Sequence, residues 1–86
     1  MKHAGKQALV KLEPLLESLR ALPQLRERSP GSFCLGSSAF IHFHEDAAGL
    51  FADVKEDLSS FSRYEVSTGK DQRAVLERVK KCLARR

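Results

Sequence analysis

The spacing of apolar residues changes twice along this chain, and that change restricts the fold more than any single motif. Leu9, Leu12, Leu16 and Leu19, joined by Leu15 and Leu22, recur at helical steps of three and four residues and line one side of a helix. From residue 39 to residue 55 apolar positions alternate instead, as they do in a strand with one face buried. Val75, Leu76, Val79, Cys82 and Leu83 then restore the helical step. With 86 residues there is room for one core. The expected architecture is α+β, a single domain over residues 1–86, with N- and C-terminal helices packed on one face of a three- to four-stranded antiparallel meander sheet.

Punctuation residues refine the elements. The first helix is expected over residues 4–22, closed by Pro23, and Pro14 inside it deletes a backbone hydrogen bond and crowds the preceding turn. That predicts a kink, or a helix that ends near Glu13 and restarts with Pro14 in its first turn. Residues 24–28 alternate weakly, enough for a short edge strand, and Ser29-Pro30-Gly31-Ser32 has turn composition. Strands are expected at 33–35, 39–45, 50–55 and 61–66, with a turn at 45–49 and a polar connection at 56–60. Thr68 with Asp71 three residues on resembles a capping box with the shorter acid, and opens the helix expected over 69–84.

Composition bounds the function. Hydrophobic residues make up 42% of the chain and charged residues 30%, which is globular rather than disordered. No apolar run is long enough to span a membrane. Charges interrupt the N-terminal segment where a signal sequence would need an unbroken apolar core, so a cytoplasmic location is expected. In that compartment Cys34 and Cys82 are read as free buried thiols. The chain has no Cys-x-x-Cys pair, which excludes a zinc ribbon and a thioredoxin-type motif on spacing. The net charge of +4 is unevenly spread: Lys and Arg number 6 against 3 Asp and Glu over residues 1–30, 2 against 6 over 31–66, and 7 against 2 over 67–86. Basic ends around an acidic middle suit two basic helices lying against an acidic sheet.

Alternation also sorts the chemistry. Ala39, Ile41 and Phe43 point one way and Phe40, His42 and His44 the other; on the return strand Leu50, Ala52 and Val54 oppose Phe51, Asp53 and Lys55. A tight turn over 47–48 sets His42 opposite Asp53 and His44 opposite Phe51, and a turn two residues longer sets His44 opposite Asp53. In both registers a His-Asp pair lies on the face away from the helices. The candidate binding surface is therefore Phe40, His42, His44, Phe51 and Asp53. His42, His44 and Asp53 have the donor types to hold zinc or a similar divalent ion, but a hydrogen-bonded imidazole and carboxylate on a solvent-facing sheet is the favoured reading and no cofactor is expected.

Other chemistries fit less well. Ser37 and Ser38 lack a nucleophile elbow, which argues against a hydrolase triad. A Cys34, His42 and Asp53 constellation needs Cys34 on the histidine face. Phe40-Ile41-His42-Phe43 matches only the tail of an RNA-recognition sheet motif, and the acidic middle opposes a phosphate backbone. The basic helix from Arg73 reads as an amphipathic core helix whose cations suit its C-terminal dipole, so nucleic acid is disfavoured as a partner.

Gly36, Phe40, His42-Phe43-His44, Gly49 and Asp53-Val54 together resemble the pattern of small bacterial domains sometimes labelled luciferase-like. In these a glycine and an aromatic residue lead into a His-x-His strand, followed by a glycine turn and an Asp-aliphatic strand. The resemblance covers about residues 30–56, with a looser likeness in the last helix. Ser38 and Ala39 replace the basic-acidic pair the family pattern leads one to expect before the strand. It implies that the His-x-His and Asp positions are a family feature; it implies no luciferase chemistry, and no flavin or oxygenase signature accompanies it. The function expected from the sequence is a binding or accessory role through an open sheet face, with a protein partner or a second copy covering it, rather than an enzyme.

Overall fold

The computed structural model describes residues 2–57 and 59–85, Lys2 through its backbone alone. Leu58, inside the connection read as polar, and the terminal Met1 and Arg86 lie outside the described residues. The elements run β1 (Lys2–His3), α1 (Lys6–Arg20), β2 (Leu25–Ser29), β3 (Ser32–Leu35), β4 (Ser38–Asp46), β5 (Gly49–Val54), β6 (Ser62–Glu65) and α2 (Gly69–Ala84).

The leucine stripe builds α1 as one unbroken helix, burying Ala8, Leu12, Leu15, Leu16 and Leu19. Pro14 neither splits nor ends it. Pro14 and Val10, the residue whose carbonyl loses its N–H partner, both face solvent, Val10 being 73% exposed, where water can satisfy that carbonyl. Gly5 offers no side chain to cap the helix start. Glu45 acts from the sheet on the N-cap residue's own N–H, its Oε2 accepting from Gly5 at 2.7 Å as the acid of a capping box does, and places negative charge at the positive end of the helix. The α2 start is capped locally, as the sequence predicts: Asp71 N–H donates to Thr68 Oγ1 at 3.1 Å and Thr68 N–H to Asp71 Oδ2 at 3.3 Å.

The sheet is an antiparallel meander, β2-β3-β4-β5-β6, and β1 adds to β4. The expected three to four strands are exceeded because β2, an edge strand, carries a weak pattern in which Leu25 alone is buried, and because β1 has just two residues. Since β5 occupies one edge of β4 along Ile41–Asp46, β1 lies on the same edge as β3, farther along, with His3 opposite His44. Pro30 and Gly31 form the two-residue connection between Ser29 and Ser32. Gly31 has φ +79, a left-handed backbone that favours glycine in this turn.

Both helices cover one face, α1 toward β2 and α2 toward β6. Their leucines and valines form one core with Leu25, Phe33, Ile41, Phe43, Ala52, Val54 and Val66. The expected division holds for Ile41, Phe43, Ala52 and Val54, all buried beneath the helices. It fails at Phe40. Phe33 pairs with Ile41 but Cys34 pairs with Ala39, so two residues of β4 answer one of β3 and Phe40 is the extra residue of a β-bulge. The bulge sends Phe40 into the core beside Ile41, where it is 1% exposed. Strict alternation had placed it on the open face. Among the described residues no helix is long and apolar enough to cross a membrane.

Candidate functional site

The hairpin β4–β5 takes the tight-turn register, with His42 opposite Asp53, Phe43 opposite Ala52 and His44 opposite Phe51. His42, His44, Phe51 and Asp53 therefore share the face away from the helices, each partly buried. Phe40 does not join them, and it leaves the candidate surface for the reason given above.

Three residues that the sequence reading did not associate with this face complete it. β1 brings His3 alongside His44, their rings stacked with centroids 4.8 Å apart. His42 lies 6.4 Å from His44 and 6.0 Å from His3. Phe61, 44% exposed, meets the His42 ring edge-on at 5.6 Å, and Lys55 Nζ stands 5.8 Å from the centre of that phenyl ring. The three histidine rings of β1 and β4 thus form a triangular cluster, with Phe61, from the segment leading into β6, against its His42 corner. The third addition is Arg63, opposite Asp53 on β6. Its Nε donates to Asp53 Oδ1 at 2.7 Å and its Nη2 to Oδ2 at 2.9 Å, a two-bond fork.

His44 Nε2 stands 3.2 Å from Asp53 Oδ2, so the imidazole–carboxylate contact is diagonal, not with the directly facing His42. The Arg63 fork holds the Asp53 carboxyl below its ordinary value, against the opposing effect of partial burial. Desolvation pushes the His44 imidazole below its ordinary value despite the neighbouring Asp53 charge. The arrangement keeps a carboxylate ionised and an imidazole neutral side by side.

For a metal the geometry is poor. Both Asp53 oxygens are engaged by a cation, the histidine rings lie nearly parallel rather than converging, and among the described residues no group of three or more His, Cys, Asp or Glu is placed to hold an ion. Cys34 does lie on the histidine face. It alternates with the buried Phe33, pairs with Ala39 and Arg26, and lines a hollow with His42. Cys82 lies in the core, its thiol 3.8 Å from the Glu56 carbonyl. Both cysteines are free and buried, as the sequence reading expects.

The sequence held weak signals for the added residues. Arg63 lies on a strand that was anticipated, and its pairing with Asp53 follows once the β5–β6 register is known. His3 carries no such signal, because a two-residue strand has no periodicity to read; Phe61 opens the strand expected over 61–66, two residues before Arg63 and so on the same side, although β6 itself begins at Ser62. Comparison of the chain with protein-family models, with curated proteins and with solved structures finds no match.

Proposed function

We propose that the chain is a binding or accessory domain that engages a protein partner, or a second copy of itself, through the open face of its sheet. The observation that carries this reading is the cluster of His3, His42 and His44 rings with Phe61 against His42 and Phe51 opposite His44, on the face that the helices leave free. Partly apolar, ring-rich surface of this kind is what protein interfaces bury. The luciferase-like resemblance is in keeping with it, since its His-x-His and Asp positions all point to that face. A divalent-metal role for His42, His44 and Asp53 is the weaker reading, because Arg63 occupies the carboxylate. The basic outer side of α2 is left out of the proposal.

The test compares proteins retained by the wild-type chain, by a Phe51→Ser, Phe61→Ser double variant and by Val10→Ser, a change on the far side of α1. A partner kept by wild type and Val10→Ser but lost by the double variant is expected; equal retention by all three overturns the reading. Light scattering across a concentration series identifies the partner as a second copy if the mass rises for wild type and not for the double variant.

A further inference from the structure

Beside the ring cluster the open face holds a hollow of about 390 Å³ bordered by Arg28, Ser29, Ser32, Cys34 and His42. Its volume falls within the range of roughly 300–1,000 Å³ usual for small-molecule sites. A second β-bulge shapes it. Glu27 pairs with Phe33 and Ser29 with Ser32, so two steps along β2 answer one along β3 and Arg28 is the extra residue, bringing Arg28 and Ser29 to the rim together. Bulges re-aim side chains in this way next to binding sites.

The lining is rich in donors and has no carboxylate. Elsewhere arginines meet acids: Arg20 bonds Glu13 and Glu27, Arg63 bonds Asp53, and Arg78 approaches Glu56. Arg28 has no such partner among the described residues, and the hydroxyls of Ser29 and Ser32 make no hydrogen bond there. A guanidinium fork by itself satisfies a planar carboxylate, as Arg63 does for Asp53. Two hydroxyls and an imidazole beside the fork suit an anion with more oxygens, arranged tetrahedrally.

We infer that this hollow binds the phosphate group of a small phosphate monoester, with Arg28, Ser29, Ser32 and His42 as the donors and the ester's organic part lying over Cys34 and Ala39. The inference rests on the open-face reading, since it places a ligand on that same surface.

The experiment is a titration of amide and ring NMR signals with inorganic phosphate, then with phenyl phosphate, and with phenylacetate as a carboxylate of similar size. Saturable shifts at residues 28–34 and at His42 are expected for both phosphates, with phenyl phosphate the tighter and phenylacetate the weakest. Arg28→Ala, at an exposed position where folding is unaffected, is expected to weaken phosphate binding about tenfold or more, the loss of one charge-assisted contact. Lys80→Ala with Lys81→Ala on α2 is expected to leave it unchanged. No saturable shift, or a response that follows the α2 lysines rather than Arg28, overturns the inference. Phosphate silence together with partner loss in the Phe51, Phe61 variant removes the phosphate site and leaves the open-face reading standing; phosphate binding with unchanged partner retention does the opposite.

Discussion

His44 shows how a single side chain on the open face couples to the stability of the whole. Its imidazole is held below the ordinary 6.5, chiefly by desolvation, with further lowering from His3, Arg63 and His42 and an opposing pull from Asp53. A depressed histidine favours the neutral form in the folded state. As the pH falls through about 6.5 the unfolded chain takes up the proton first, so stability declines across that window and this contribution levels off below the folded value. Asp53, lowered by Arg63, acts in a separate window: its contribution is intact above the ordinary carboxylate value and is lost in stronger acid. Urea midpoints measured just above and well below the histidine window are expected to fall for wild type and to fall less for His44→Gln. Equal falls in both would place the acid sensitivity on another group.

At the level of elements, the bulge in β4 decides which aromatic side chains build the core and which remain available for contact. Phe40 is buried among core residues, whereas Phe61, from the segment leading into β6, is nearly half exposed. Phe40→Ala is expected to cost about 3–5 kcal/mol, the range for emptying a buried phenyl site. Phe61→Ala is expected to cost less than about 1 kcal/mol, as at surface positions. Denaturant unfolding of the two variants measures the contrast; similar losses would contradict the bulge. The same element shows why α1 tolerates a glycine at its start. Glu45, at the far end of β4, accepts the N–H of Gly5 itself and sets its charge at the helix start, so sheet and helix are tied by one charged hydrogen bond.

Across the whole molecule the two helices and the last strand converge on Gln72, a buried polar side chain. Its Nε2 donates to the Lys11 carbonyl of α1 at 3.2 Å and to the Val66 carbonyl at 3.1 Å. Gln72→Ala is expected to destabilise by about 1–3 kcal/mol, because the Val66 carbonyl loses a donor in a buried contact and the tie to the Lys11 carbonyl goes with it, while the exposed neighbour Arg73→Ala stays within about 0.5 kcal/mol. Thermal or urea unfolding of the pair tests it. Gln72 also marks where reading from the sequence ends. Both helices, the strands β3 to β6, the Thr68 cap and the facing of Ile41, Phe43, Ala52 and Val54 were legible, because each follows from a local repeat or a short-range hydrogen bond. A His–Asp pair on the open face was legible too, but the choice between His42 and His44 opposite Asp53 was left to the length of the turn, which the structure shows to be two residues. Phe40 was misplaced because a bulge is set by the pairing of β3 with β4, and no period within β4 encodes it. His3 was invisible because its two-residue strand pairs with one about forty residues away, and Arg63 and the hollow at Arg28 came clear only once the β5–β6 register and the β2 bulge were known. Local periodicity determined the elements and the buried face of each; the pairing of strands decided which polar groups share the open face, because cross-strand neighbours are chosen by register and not by sequence distance.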